Sequence, residues 1–255
     1  MRFAPAIALL FTAPALAEHS LLPDQAELLD LARHYALNYA ASLPDFLCNQ
    51  LVQRSEDPRG DGRWRPLDTL NIKVSYFDHK EDYKLIEVDG RPTVVDYQFM
   101  GGTISTGEFG TRLLAVFAKP SKALFGWKGW AHVRHRKVAV FTYQIARENS
   151  GNVVQLGPVS TGPNAIVIAY HGEVAVDPET HAVLRVSLTG DLPPRFPITA
   201  CHSWVEYDYR EVAGHEYLLP VESQTGLSAG RYRSSNRIVF HEYRKFQTDA
   251  TITFQ

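Results

Sequence analysis

The feature that most restricts the fold is a succession of strand-like runs with only turn-length connections. From about residue 123 onward, apolar and polar residues alternate in short runs such as KVAVFTYQI, GEVAVD and AVLRVSL. Alternation with a period of two is typical of strands that bury one face. Connections this short leave no room for crossover helices, so successive strands must run antiparallel. The second half of the chain is therefore predicted to form one antiparallel sheet.

The predicted helical content is small. Residues 23–42 carry apolar side chains at helical spacing, and Pro44 stops the helix that this spacing predicts. A second, short helix is predicted near residues 107–118, where Ser105 and Glu108 have the spacing of a capping box. The expected fold class is α+β: a single curved antiparallel sheet, a half-barrel or incomplete barrel, whose concave face is covered by the two helices.

The first 17 residues, MRFAPAIALLFTAPALA, have the three parts of a secretory signal peptide. A basic residue is followed by a short apolar run and by a small-x-small site that ends at Ala17. We expect cleavage after Ala17, export to the periplasm or the medium, and a single domain over residues 18–255. No later stretch is apolar over the length of a membrane helix, so a membrane-spanning chain is not expected.

Cys48 and Cys201 are the only two cysteines. In an oxidising compartment two lone cysteines are usually joined, and we therefore predict a disulfide between them. The alternative is two unpaired thiols that are buried as small apolar residues. A redox role is not expected, because the chain has no Cys-x-x-Cys motif.

Charge and histidine placement exclude several function classes. The 26 basic and 28 acidic side chains give a formal net charge of −2, so the chain lacks the excess of positive charge that is typical of proteins that bind nucleic acid. The ten histidines are scattered, and His132 and His135 are three residues apart, which places them on opposite faces of a strand. We expect no metal site and no cofactor.

One short motif suggests an enzyme. Residues 226–230, GLSAG, match the Gly-x-Ser-x-Gly pattern of a hydrolase nucleophile. That motif needs a strand, a sharp turn and then a helix, whereas strand-like runs flank it here on both sides. We interpret the motif as a hairpin loop and expect no enzyme, which leaves a serine hydrolase that uses Ser228 as a remote alternative.

The order of the predicted elements resembles a known superfamily. A helix at 23–42, a strand at 46–54 and a hairpin at 68–90 are followed by YHGEVAVDPETHAVLRVSL, VEYDYREVAGHEYLLPVES and RIVFHEYRKFQTDATITF. This arrangement resembles the LolA/LolB lipoprotein-carrier superfamily, whose fold is a half-barrel with helices at its mouth. LPDFLCNQ and YRKF resemble secreted bacterial proteins of unassigned activity. The resemblance implies transport or sequestration of lipid acyl chains in the periplasm.

A long sheet with only two covering helices leaves two interpretations open. The resemblance favours an apolar cavity that holds a hydrophobic small molecule or lipid. The alternative is a filled core in a non-catalytic module that binds another cell-envelope protein. Trp127 and Trp130 are the candidates for an aromatic rim at the cavity mouth. The complete set of candidate lining residues is Trp127, Trp130, Phe141, Tyr143, Ile168, Val186, Tyr207 and Leu219.

Overall fold

The computed structural model describes residues 21–100, 103–104, 107–155 and 165–246. The predicted signal peptide and its cleavage site lie outside the described residues. Within them, two α-helices pack against an eleven-stranded antiparallel sheet, and two further strands form a separate pair. The helices are α1 (Pro23–Ser42) and α2 (Thr111–Phe117).

The strands alternate with turns of two to a few residues over most of the chain. They are β1 (Phe46–Asp57), β2 (Arg65–Phe77), β3 (Lys80–Val88), β4 (Arg91–Pro92), β5 (Leu124–Val133), β6 (Arg136–Ile145), β7 (Val153–Gln155), β8 (Ala165–Val167), β9 (Ala169–Val176), β10 (Val183–Asp191), β11 (Ala200–Val212), β12 (His215–Ala229) and β13 (Tyr232–Lys245).

The large sheet is open and has the order β4-β3-β2-β1-β13-β12-β11-β10-β9-β6-β5. Every neighbouring pair in it is antiparallel. The last strand, β13, lies between β1 and β12, so the two ends of the described chain meet in the middle of the sheet. The predicted fold class, a curved and unclosed antiparallel sheet with an N-terminal helix and a short second helix, is confirmed.

Helix α1 has the predicted bounds because one of its faces is apolar throughout. The Tyr39 side chain reaches the sheet, where its hydroxyl donates to the Leu218 carbonyl at 2.8 Å and its ring meets the Tyr207 ring edge-on, with centroids 5.8 Å apart. The helix ends where Leu43 becomes extended before Pro44. The buried face of the helix consists of Leu29, Ala32, Ala36 and Tyr39.

Helix α2 is shorter than predicted and begins after Gly110 rather than near residue 107. Gly110 has a φ of +119°, and a Cβ at this position would lie 2.9 Å from the Ala40 Cβ of α1. Only glycine suits both the backbone conformation and the close approach of α2 to α1. Of the predicted capping box, Ser105 lies outside the described residues. Glu108 precedes the helix, and its carboxylate lies 3.1 Å from the Tyr83 hydroxyl.

An aromatic cluster fills the concave side over β1, β2 and β13. Phe109, from the segment before α2, packs against Phe46 of β1 with ring centroids 5.2 Å apart and against Phe240 of β13 at 5.6 Å. Tyr76 and Tyr243 complete the cluster around the same ring. This half of the concave face is therefore occupied by the protein's own side chains.

The predicted disulfide between Cys48 and Cys201 is wrong, and both thiols are free. Cys48 lies on β1 and Cys201 on β11, with β13 and β12 between them, so three strand spacings of about 4.8 Å separate them. The register separates them further. Cys201 pairs with Leu227, Leu227 with Ser234 and Ser234 with Glu56, so Cys201 is level with a residue of β1 that is eight positions (56 − 48) from Cys48. A disulfide needs Cα atoms within about 7 Å. The alternative interpretation holds for Cys48, which is buried, and burial raises the pKa of its thiol.

The positions of the cysteines predict a simple result for protein that is produced in an oxidising compartment. Its intact mass under non-reducing conditions should correspond to two free thiols, and both should react with a thiol reagent once the protein is unfolded. A mass lower by two hydrogens, restored by a reductant, would contradict this strand order.

Gln50 is a polar exception in the core. It lies on the concave face of β1 with no exposed surface, and in the described part of the chain neither its Oε1 nor its Nε2 has a hydrogen-bond partner. The same holds for the Ser223 hydroxyl on β12. An unsatisfied buried polar group costs about 1–3 kcal/mol. These side chains therefore reduce the stability of the fold.

Replacing Gln50 by leucine should raise the free energy of unfolding by about 1 kcal/mol, because the buried amide is removed while most of its volume is kept. Urea unfolding of both proteins measures the difference. Gln53→Leu, an exposed position on the opposite face of β1, is the control and should change stability by less than about 0.5 kcal/mol. A loss of stability in Gln50→Leu would mean that the amide has a partner in solution.

Glu81 of β3 holds the segment that leads into α2 in place through hydrogen bonds. Its carboxylate accepts hydrogen bonds from the backbone N–H groups of Gly107, at 3.0 Å, and Phe109, at 3.2 Å, and from the Tyr83 hydroxyl. Burial raises the pKa of Glu81 above its ordinary value of 4.5, and the carboxylate of Glu108 raises it further. The folded state therefore binds the Glu81 proton more tightly than the unfolded chain does.

This pKa shift predicts a pH dependence with a definite sign. The contribution of Glu81 to stability is complete below pH 4.5 and is lost as the pH rises through its folded-state pKa. Stability of Glu81→Gln relative to the natural protein should therefore increase between pH 4.5 and pH 7. Urea midpoints of both proteins across this range measure the difference, and a difference that does not change with pH would refute the assignment.

Candidate functional site

The edge strand β5 carries a bulge that changes which way its side chains point. Trp127 pairs with Phe141 of β6 and Trp130 pairs with Ala139, while Lys128 is the extra residue. Because Phe141 and Ala139 are two residues apart, both tryptophans lie on the same face of the sheet, although an unbroken strand would place them on opposite faces. Gly129 follows the extra residue with a φ of +134°. The two indole rings lie 5.5 Å apart at 80° to each other.

A groove of about 440 Å³ lies between these tryptophans and the N-terminal half of α1. Ligand sites for small molecules typically have volumes of about 300–1,000 Å³. Trp130 is 54% exposed and Leu22 is 63% exposed, so a large apolar surface faces solvent here. The apolar wall of the groove consists of Leu22, Leu28, Leu31, Trp127 and Trp130.

The polar part of this groove is acidic. Asp24 and Glu27 line it from α1, and His181 lines it from the β9–β10 turn. Neither carboxylate forms an ion pair or a hydrogen bond through its side chain within the described part of the chain. At the rim, the Lys137 ammonium lies 4.6 Å from the centroid of the Trp130 ring, which is a cation–π contact.

A second, smaller cavity of about 170 Å³ lies under α2, against β6, β9 and β10. Its walls include Tyr143 and Tyr170, whose hydroxyls donate to the carbonyls of Ser187 at 2.6 Å and Ala115 at 3.2 Å. Burial raises the pKa of both tyrosines, so both hydroxyls stay protonated as donors. The volume is below the usual range of ligand sites and corresponds to a few water molecules.

The structure distributes the candidate lining residues over different places. Trp127 and Trp130 line the groove, with Phe141 packed behind Trp127 at a ring-centroid distance of 5.3 Å. Tyr143 and Val186 line the smaller cavity.

The remaining three candidate residues, Ile168, Tyr207 and Leu219, are buried and line neither of these two spaces. The Tyr207 hydroxyl donates to the Glu108 carbonyl at 2.9 Å. The role of the eight residues in ligand binding stays a prediction.

Sequence reasoning missed the contribution of α1 to the groove. The helix was expected only as a cover for the sheet. A signal was present, because Leu22 and Leu31 lie outside the buried face of α1 and remain exposed. Exposed leucines beside an edge strand that carries two tryptophans indicate a site more clearly than the buried strand residues do.

Ser228 does not lie in a nucleophile elbow. It belongs to β12, opposite Ala200 and Arg233, and its backbone carbonyl accepts a hydrogen bond from the Thr199 N–H at 2.8 Å. The interpretation of residues 226–230 as a hairpin loop is wrong for all but the last of them, because β12 continues to Ala229. The turn begins at Gly230 and leads into β13 rather than into a helix. The GLSAG segment therefore lacks the strand–turn–helix geometry that the motif needs.

The described residues contain no group of three or more His, Cys, Asp or Glu side chains that could hold a metal ion. In the same part of the chain, no helix combines the length and the apolar character that crossing a bilayer requires.

Solved structures similar to this chain include a DUF1329 family protein from Desulfovibrio piger, with a TM-score of 0.41, 9% identity and coverage of 89% of this chain and 94% of that protein. A LolA superfamily protein from Nitrosomonas europaea has a TM-score of 0.39, 8% identity and coverage of 90% and 97%. A Vibrio parahaemolyticus domain proposed to sort outer membrane lipoproteins has a TM-score of 0.40, 11% identity and coverage of 88% and 94%. No family model and no curated protein matches the chain. At these identities the likeness concerns the fold alone.

Proposed function

We propose that this chain binds a hydrophobic ligand of the lipid acyl type in the groove between α1 and β5, and that it acts outside the cytoplasm as a carrier or sensor of that ligand. The observation that carries the proposal is the bulge at Lys128, which turns Trp127 and Trp130 onto the same side of an edge strand. A regular strand would bury one of these rings and expose the other on the outer face.

The distribution of space in the molecule supports this location. Over β1, β2 and β13 the concave face is filled by the Phe109 cluster, and the cavity under α2 is too small for an acyl chain. The groove has the volume of one small-molecule ligand. We therefore place the ligand at the open edge of the sheet rather than in its centre.

The energetics favour an apolar occupant. Each Å² of apolar surface removed from water contributes about 25 cal/mol, and the groove exposes the side chains of Leu22, Leu31 and Trp130. A ligand that covers these residues gains this free energy from walls that are already formed. Trp130, as the most exposed aromatic residue of the groove, should contribute most to binding.

Binding of a fluorescent acyl-chain probe with an uncharged head group to delipidated protein tests the proposal. Uptake should be saturable, and Trp130→Ala should weaken the affinity by about tenfold, which corresponds to about 1.4 kcal/mol. Trp64→Ala is the matched control, because Trp64 is 47% exposed and does not line the groove, and its affinity should be unchanged. No saturable uptake, or equal losses in the two variants, would refute the proposal.

A second candidate function is an interaction module of the cell envelope that binds another protein. The observation that favours it is the segment after β4, where Val94 is fully exposed and Phe99 is 58% exposed. Val95 is also 46% exposed, and several exposed apolar residues in one short segment are typical of protein-binding surfaces. Absence of ligand uptake, together with a partner that crosslinks through this segment, would favour the module over the carrier.

A further inference from the structure

Two perpendicular tryptophan rings form one corner of the groove. The Trp127 ring packs against Phe141, which holds it in place. The Trp130 ring packs against the Trp127 ring at an angle of 80°. The face of an indole ring attracts a cation more strongly than any other side-chain ring does, and aromatic corners of this kind bind ammonium groups. One of these rings already forms such a contact within the chain, because the Lys137 ammonium lies 4.6 Å from the centroid of the Trp130 ring.

Apart from the Lys137 ammonium on Trp130, the charges that face this corner are negative. Asp24 and Glu27 are three residues apart on α1, a spacing that places both carboxylates on the same side of the helix, and both line the groove. Acidic side chains of the neighbouring strands are paired: Glu173 with Lys128, and Asp177 with Arg136 at 3.0 Å. Within the described residues, Asp24 and Glu27 have no such cation.

The remaining titratable and basic groups around the groove do not make its charge positive. Of the described residues in the lining, His181 is the other titratable one. Lys128 is engaged by Glu173, and Lys137 stays at the rim on Trp130. Among the residues that the structure describes, no arginine or lysine lines the groove itself.

We propose that the ligand is an amphiphile with a cationic ammonium head, which lies between the Trp127–Trp130 corner and the carboxylates of Asp24 and Glu27, while its apolar chain lies along Leu22, Leu28 and Leu31. The inference rests on the proposed function, because it takes the same groove as the binding site. It adds the charge of the head group, which the apolar walls alone do not determine.

Three amphiphiles with the same twelve-carbon chain, each used below its micelle concentration, test the head group by calorimetry or by competition with the uncharged fluorescent acyl-chain probe. They are dodecyltrimethylammonium, dodecyl maltoside and dodecyl sulfate, and choline is tested as a head without a chain. The cationic amphiphile should bind about tenfold more tightly than the neutral one, and the anionic one more weakly than both. Choline alone should bind weakly or not at all.

The double variant Asp24→Asn/Glu27→Gln should lose the preference for the cation and keep its affinity for dodecyl maltoside. Asp30→Asn is the control, because Asp30 is an exposed carboxylate of α1 that does not line the groove, and it should keep the preference. A preference for dodecyl sulfate, equal affinity for all three heads, or a cation preference that survives in the double variant would overturn the head-group proposal alone. Failure of every twelve-carbon chain to bind would instead refute the groove as a ligand site.

Discussion

The pairing of β13 between β1 and β12 is the constraint on which the rest of the structure depends. It joins the first strand of the described residues to the last one and makes them the middle of the sheet. Phe46 of β1 and Phe240 of β13 thereby come to lie around Phe109, which fills the concave face over this region. The same pairing separates Cys48 from Cys201 by three strands and leaves the sheet open at β4 and β5. Edge strands are usually blunted by bulges, and β5 has one.

The open edge at β5 is where the fold offers a ligand site. The two helices and the Phe109 cluster seal the centre of the sheet, and the space that remains there is small. At β5 the bulge turns Trp127 and Trp130 toward α1, and the groove between them has the size of a small-molecule ligand. Both proposals follow from this arrangement: the apolar walls favour an acyl chain, and the carboxylates of α1 favour a cationic head.

Local patterns in the sequence predicted the elements well. Helix α1 has the predicted bounds because its apolar spacing and Pro44 are both local signals, and the alternation of apolar residues predicted the antiparallel strands. Long-range pairing was not predictable in this way, because periodicity carries no information on which strands become neighbours. The disulfide prediction failed for this reason. The tryptophans show a related limit: their three-residue spacing predicts opposite faces, and only the bulge at Lys128 brings them together.

Backbone amide hydrogen exchange of the full chain tests the central position of β13 most directly. Amides in the middle of the sheet open only with large parts of the fold, whereas an edge strand has one unpaired side and opens easily. The account predicts that residues 236–240 of β13 exchange among the slowest amides of the protein and that residues 124–130 of β5 exchange much faster. Fast exchange in β13 together with slow exchange in β5 would contradict it.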